Sequence, residues 1–298
     1  MKSILKSVFI TVFPAFAIYV LIDSALNLNE HGFSFRYLGS LIVAFSIAFF
    51  FAGLFIKPQA RTSRNLIILT TLIIIGFCIS VIMGSLYENS GILGSYISLL
   101  LVVGWWLYLK WFSVFKKREK NILKVGNQLP VFELEDISKQ IIKSTSYIGQ
   151  PTIFLFYRGN WCPLCMAQIK EIASQYKELE KRGVTMNFIS PQPHHFSKTL
   201  ARKYNLGFNF LTDVENKVAK QLDIFSKNGI PTGFQAFGFD SDTVMPTVVI
   251  TDANGKIIFT DLTDNYRVRP EPETFLKILD ESLVYYKNIK NPASSEVH

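Results

Sequence analysis

Three cysteines occur in the 298-residue chain, and two of them stand together in Phe156-Tyr-Arg-Gly-Asn-Trp-Cys-Pro-Leu-Cys165. A single Cys-x-x-Cys pair cannot complete a four-cysteine zinc site. It is also a poor structural staple, because it closes so short a loop. Redox chemistry remains, and the flanking sequence favours it. Thr152–Tyr157 is a continuous apolar, β-favouring run, and residues 163–181 follow with helical spacing. Cys162 is therefore expected where a core strand ends and a helix begins. Unpaired backbone N–H groups and the helix dipole favour an anion there, so Cys162 is expected to ionise readily and to attack. Cys165 falls one turn later on the same face, placed to resolve a mixed disulfide or sulfenic acid by closing Cys162–Cys165. Pro163 suits the first turn of a helix, where its missing N–H is no loss.

Weaker candidates surround the pair. Trp161 adjoins it, and Arg158 could stabilise the thiolate or a peroxide oxygen, or simply lie on the surface. Arg267 and Arg269 carry the same two alternatives. His194-His195 offers two imidazoles with no third ligand, so no metal and no cofactor are expected. Cys78 lies inside an apolar run and reads as a small buried residue.

The elements that must hold this site divide into two regions. Residues 1–113 are dominated by apolar side chains, with candidate membrane-spanning helices at about 7–22, 37–56, 66–86 and 92–112. The first is the shortest and is interrupted by Pro14; preceded by Lys2 and Lys6, it could also be a cleaved signal peptide. Trp105, Trp106 and Trp111 cluster near the end of the last, as an interfacial belt would. Lys2, Lys6, Lys57, Arg61, Arg64, Lys116, Lys117, Arg118 and Lys120 fall in alternate loops. By the bias of positive loops toward the cytoplasm, both termini and the redox domain are expected there, in a multi-pass inner-membrane protein. The net charge of +8 is thereby explained without nucleic acid, for which no basic stripe interleaved with aromatics is present.

Residues 114–125 read as a basic juxtamembrane linker, 126–288 as the redox domain and 289–298 as a polar tail. Within the domain a hairpin is expected at 131–134 and 141–142, then strands at 152–157, 184–189 and 208–211. Helices are expected to about Tyr204, over 213–222 and over 273–286, with a second hairpin at 247–251 and 256–261. Strands alternating with helices describe an α/β sandwich.

The motif around Cys162 resembles the thioredoxin superfamily and, more narrowly, the peroxiredoxin-like branch of the alkyl hydroperoxide reductase and thiol-specific antioxidant (AhpC/TSA) family. Ala201-Arg-Lys-Tyr-Asn-Leu-Gly-Phe-Asn-Phe-Leu-Thr-Asp213, Met245-Pro-Thr-Val-Val249 and Tyr266-Arg-Val-Arg-Pro-Glu-Pro272 extend the likeness over about 126–283. The resemblance implies a thioredoxin-like fold. It also implies a cis Pro246 beside the cysteines, with Met245 offering backbone contacts to substrate. Peroxide or a disulfide would be the substrate, with thioredoxin or a low-molecular-weight thiol as reductant. Three positions depart from these families. Gly159 and Leu155 stand where peroxiredoxins have Thr or Ser and Pro, and Phe156 where thioredoxin has Asp. Gln168 stands where membrane-associated reductases of cytochrome maturation have Glu, and the peroxiredoxin-like branch also favours Gln there. Three readings follow: a membrane-tethered thiol peroxidase, a thiol–disulfide reductase acting on a protein, and a non-catalytic redox sensor signalling through the helices.

Overall fold

The computed structural model describes residues 2–88, 95–115, 118 and 121–290. Apolar helices come first: α1 (Lys2–His31), α2 (Phe35–Ile56), α3 (Ile67–Tyr87) and α4 (Tyr96–Phe112). The first three are long and apolar enough to cross a membrane, and the described part of α4 is shorter. Residues 92–94 of the fourth expected span lie outside the described residues.

Helix α1 overruns its expected limits at both ends and carries Pro14 in its interior. An interior proline removes one intrahelical hydrogen bond. The helix continues through it, and Phe13 and Ala17, on either side, are buried against the other helices. Helix α2 forms the centre of the bundle, with Val43, Ala44 and Ile47 fully enclosed. A Cβ on Gly39 would collide with the Gly76 carbonyl, so glycine sets how closely α2 and α3 approach. The expected tryptophan belt is only partly realised. Trp105 is buried, its indole N–H donating to Thr70 Oγ1 at 3.0 Å, while Trp106 is exposed. Cys78 lies on the outside of α3 rather than in the core.

The remaining strands are β1 (Glu133–Glu135), β2 (Ile141–Lys143), β3 (Thr152–Phe156), β4 (Thr185–Ser190), β5 (Asn209–Thr212), β6 (Phe225–Ser226), β7 (Thr243–Val244), β8 (Thr247–Thr251) and β9 (Ile257–Asp261). Seven of them form one mixed sheet in the order β2-β1-β5-β4-β3-β8-β9. Strand β3 is buried at every position, parallel to β4 and antiparallel to β8. Its side chains alternate between faces. Ile153 and Leu155 pack with Ile169 and Ile172 of α5 (Pro163–Ser174) and with Phe275 and Leu279 of α9 (Pro272–Lys290). Phe154 and Phe156 face Val218 and Ala219 of α8 (Lys217–Gln221). The helix expected over 163–181 is broken at Gln175 into α5 and α6 (Tyr176–Lys181), which sets the Tyr176 ring against Phe208 at 5.3 Å. Helix α7 (His194–Tyr204) joins β4 to β5. Strands β6 and β7, with the Gly- and Phe-rich loop between them, occupy a stretch where no element was expected.

The stretch at 114–125 is a joint rather than a free linker, although Lys116, Lys117 and Lys120 lie outside the described residues. Val114 bridges Asn265, and the Phe115 N–H donates to the Asp264 carbonyl at 2.6 Å. Arg118 is buried and donates to Thr247 Oγ1 and the Pro246 carbonyl at 2.9 and 3.0 Å. Of the expected polar tail, residues 289 and 290 complete α9 and 291–298 lie outside the described residues.

Arg267 locks the two regions together. Fully buried, it donates to Ser113 Oγ (3.0 Å), Thr62 Oγ1 (2.9 Å), the Ser63 carbonyl (2.9 Å) and the Arg64 carbonyl (2.8 Å). Arg64 pairs with Asp264 at 2.9 Å, and Arg61 with Glu171. At the start of α1, Lys6 Nζ reaches the Val114 carbonyl at 2.8 Å and Ser7 Oγ the Ile230 carbonyl at 2.6 Å. The start of α1, the α2–α3 loop and the end of α4 therefore all meet the redox domain on one side of the bundle.

Candidate active site

Cys162 caps α5 at the end of the β3 loop, and Pro163 occupies the first helical position. The Cys162 and Cys165 sulfurs lie 2.8 Å apart, both buried. The pair is therefore assembled as its spacing implied. Its electrostatics differ from expectation, because Arg269 sits over the second cysteine rather than the first. Its Nη1 and Nη2 lie 3.6 and 3.5 Å from Cys165 Sγ. Burial opposes ionisation of Cys165, but the hydrogen bond with Cys162 and the Arg269 charge outweigh it and hold this thiol down to about 5. Burial pushes Cys162 up instead, reinforced by its bond to Cys165 and the charge on it. The Arg269 guanidinium, 3.5 Å from Cys165 Sγ, therefore favours the negative charge on Cys165, where the sequence pointed to an easily ionised Cys162.

Two residues fix Arg269 in place. The Gln168 Oε1 accepts from Nη1 at 2.9 Å, and the Tyr266 carbonyl accepts from Nε at 3.0 Å. Gln168, read from sequence only as a family marker, orients the counter-ion of the thiolate.

Arg158 is buried beside the pair, but its guanidinium donates to the Gly229 carbonyl and lies 4.8 Å from the Trp161 ring centre. Its carbonyl accepts from the Trp161 indole N–H at 3.2 Å and from Thr243 Oγ1 at 2.9 Å. Gly159 has φ +139°, and a Cβ there would stand 2.8 Å from the Trp161 ring. Trp161 therefore occupies the space a Thr or Ser side chain would need. Gln192, between the two prolines of its loop, accepts from the Asn160 N–H at 2.8 Å and donates to Tyr157 Oη at 2.8 Å, pinning the loop before Cys162.

The polar groups of the other expected residues bond outside this cluster. The Met245–Pro246 peptide is trans, since no cis bond occurs among the described residues. Its backbone is committed elsewhere: Met245 N–H donates to the Ile224 carbonyl at 2.7 Å, and the Pro246 carbonyl accepts from Arg118. Arg267 serves the joint between regions. His194 pairs with Glu135 at 2.8 Å, and no metal-ligating cluster is found among the described residues.

Cys162, unlike Cys165, opens onto a cavity of about 240 Å³. One wall comes from the redox domain: Arg158, Trp161, Pro163, Leu164, Pro231, Phe234 and Tyr266. The other comes from the helices: Ile10, Thr11, Pro14, Phe51, Leu54, Phe55 and Phe112. Sequence reading missed this second wall. The one signal available, an interrupted first helix, pointed away from it.

Residues 125–260 match the AhpC/TSA family. The chain is 28% identical over 178 residues to peroxiredoxin Q, chloroplastic, of Sedum lineare, covering 60% of this chain and 83% of that one. It is also 28% identical over 149 residues to peroxiredoxin Bcp of Escherichia coli (strain K12), covering 49% and 92%. Among solved structures, peroxidoxin BcpB from Mycobacterium tuberculosis aligns over 53% of this chain and 97% of its own, with 18% identity and a TM-score of 0.43. The helical region precedes the family match, and residues 125–260 are similar to the AhpC/TSA family, with relatives named as peroxiredoxins.

Proposed function

We propose that this protein is a membrane-tethered, thiol-dependent peroxidase that cycles Cys162 and Cys165 between dithiol and disulfide. The observation that carries the reading is the 2.8 Å contact between a cavity-facing Cys162 and a Cys165 that the Arg269 guanidinium approaches to 3.5 Å. Relatives named as peroxiredoxins support peroxide as the oxidant. In this reading Cys165 takes the Cys162 proton as the Cys162 sulfur attacks the terminal peroxide oxygen. An S–O bond forms, the O–O bond breaks, and the leaving oxygen takes a proton from solvent. Cys165 then attacks the Cys162 sulfenic acid, its proton departs with the hydroxide as water, and a disulfide closes. Thioredoxin or a low-molecular-weight thiol restores the dithiol.

The bilayer is the second partner in this proposal. Three helices have the length and apolarity to cross it, and the basic side of the bundle meets the redox domain. Both features support a multi-pass inner-membrane protein with its redox domain in the cytoplasm, where a reducing thiol pool suits repeated turnover.

A second reading, disulfide exchange with a protein partner, is favoured by one observation. Gly159 supplies no hydroxyl for a peroxide, and Arg158 is engaged with Gly229. The test is peroxide consumption by the full chain in nanodiscs supplied with thioredoxin and its reductase. Consumption abolished by Cys162→Ser is expected. Brisk reduction of a protein disulfide with no peroxide consumed would replace the peroxidase by the reductase.

A further inference from the structure

The loop between β6 and β7 has the wrong composition for a surface in water. Ile230-Pro-Thr-Gly-Phe-Gln-Ala-Phe-Gly-Phe239 holds three phenylalanines and no charged residue, although Lys227 and Asp240 stand close on either side. Loops that face water ordinarily carry polar side chains. Two of the three rings have work within the fold. Phe239 is buried on Phe196, ring centres 4.7 Å apart, and Phe234 lies 5.5 Å from Trp161. Phe237 meets the Phe234 ring edge-on at 6.1 Å and stays 69% exposed. Folding of the redox domain therefore leaves most of this ring uncovered.

The position of the loop says what could cover it. Ser7 Oγ donates to the Ile230 carbonyl at 2.6 Å, the Thr232 N–H to the Ser7 carbonyl at 3.2 Å, and Thr11 Oγ1 to the Thr232 carbonyl at 2.9 Å. Val8 and Val12, next to these two residues on α1, are exposed and belong to the apolar outer surface of the helical region. Phe234 shares the wall of the Cys162 cavity with Pro14 of α1 and with Phe51, Leu54 and Phe55 of α2. Those residues give the height. Helix α2 has 22 residues, about 33 Å at 1.5 Å per residue, against a hydrocarbon core of about 30 Å. Nearly all of α2 is needed to cross, so Leu54 and Phe55, in its last turn, stand at the hydrocarbon boundary. Pro14 lies eight residues further along α1 than Lys6, roughly 12 Å. The loop thus reaches past the basic underside of the bundle to the level of the membrane surface.

We propose that residues 230–239 dip into the membrane interface beside α1, with Phe237 inserted among the lipid headgroups and upper acyl chains. The inference rests on the reading of the helices as membrane-spanning, and adds to it a lipid contact made by the redox domain itself. Continuity identifies the occupant: the exposed apolar stripe of α1 meets the loop through the Ser7 and Thr11 bonds. An uncharged tip with an outward phenylalanine suits the boundary between headgroups and acyl chains. Pro231 and Phe234 also line the Cys162 cavity. A loop held between α1 and lipid therefore fixes one wall over the redox pair.

The test places single nitroxides on the full chain in nanodiscs, in a Cys78→Ser background with Cys162 and Cys165 kept as the disulfide. Power-saturation EPR compares collision with oxygen, which concentrates among acyl chains, and with a water-soluble nickel chelate. Phe45→Cys, exposed midway along α2, gives the acyl reference. Ser138→Cys, exposed between β1 and β2, gives the aqueous one. A label at Phe237→Cys is expected to show an oxygen-to-nickel ratio several-fold above that at Ser138→Cys. Ala236→Cys, exposed one residue away, should follow it and guards against a loop disturbed by the first substitution. Adding Phe237→Glu to the Ala236→Cys chain should return its ratio to near the aqueous reference; an unchanged ratio would remove Phe237 as the anchor, and the inference with it. If both loop labels match Ser138→Cys while Phe45→Cys reads as acyl, the loop stays in water and the inference fails with the membrane reading intact. If Phe45→Cys also reads as aqueous, the membrane reading fails too. Loop labels shielded from oxygen and nickel alike would mean that the tip packs on protein, such as a second copy of this chain, and would also overturn the inference.

Discussion

Arg269 divides its donors among the Cys165 sulfur, Gln168 and the Tyr266 carbonyl, so its charge bears on the cysteine pair and lies nearest to Cys165. With Cys165 held to about 5, the reduced pair keeps its negative charge across neutral pH and loses it only as pH falls through that value. Arg269→Met should raise this thiol by about one to three units, as loss of an adjacent opposite charge does. Ultraviolet thiolate absorbance of the reduced protein would then climb through pH 6–8, where the wild type is flat. A flat profile in the variant would remove Arg269 from the account. Separately, Cys165→Ser should leave a Cys162 that still reacts with peroxide but accumulates a dimedone-reactive sulfenic acid. Gly159→Thr should not improve peroxide turnover. A β-branched residue at φ +139° against Trp161 costs about 1–3 kcal/mol, read as a lower melting temperature. The cysteine pair was legible because the period changes from strand to helix around it. Arg269 was named only as one of three arginines that could stabilise the thiolate, and nothing singled it out, because it lies 104 residues from Cys165 in the chain.

Among elements, the joint beneath α2 and α3 is the most demanding. Arg267 is buried with four acceptors drawn from the Thr62–Arg64 loop and Ser113. Arg267→Met leaves two backbone carbonyls without their donor, and should cost about 2–4 kcal/mol by the usual penalty for unsatisfied buried groups. Thermal unfolding in nanodiscs measures that loss, and limited proteolysis should cut the 57–66 loop sooner in the variant. Unchanged stability would mean that the loop holds itself in place. Apolar run length was enough to find α2 and α3. It misjudged α1, since Pro14 reads as a breaker while neighbours such as Phe13 and Ala17 pack well enough to carry the helix through. The strand–helix alternation likewise gave the sheet, but the β6–β7 ribbon is too short and too Gly-rich to show any period.

For the whole molecule, the basic residues from which the proposed membrane orientation is read also hold the two regions together. Lys6, Arg61 and Arg64 each bond across the bundle's underside. A reporter active only in the cytoplasm, fused at the C-terminus, is expected to function; a periplasm-only reporter functioning there would invert the arrangement. The division of the Cys162 cavity between two regions has a practical corollary. A fragment beginning near residue 126 would retain both cysteines, Arg269 and every strand of the main sheet. It would lack Ile10, Pro14, Leu54 and Phe55, and Arg267 would face solvent in place of its loop. Such a fragment is expected to leave Cys162 open to water, and its reactivity would misreport that of the intact chain.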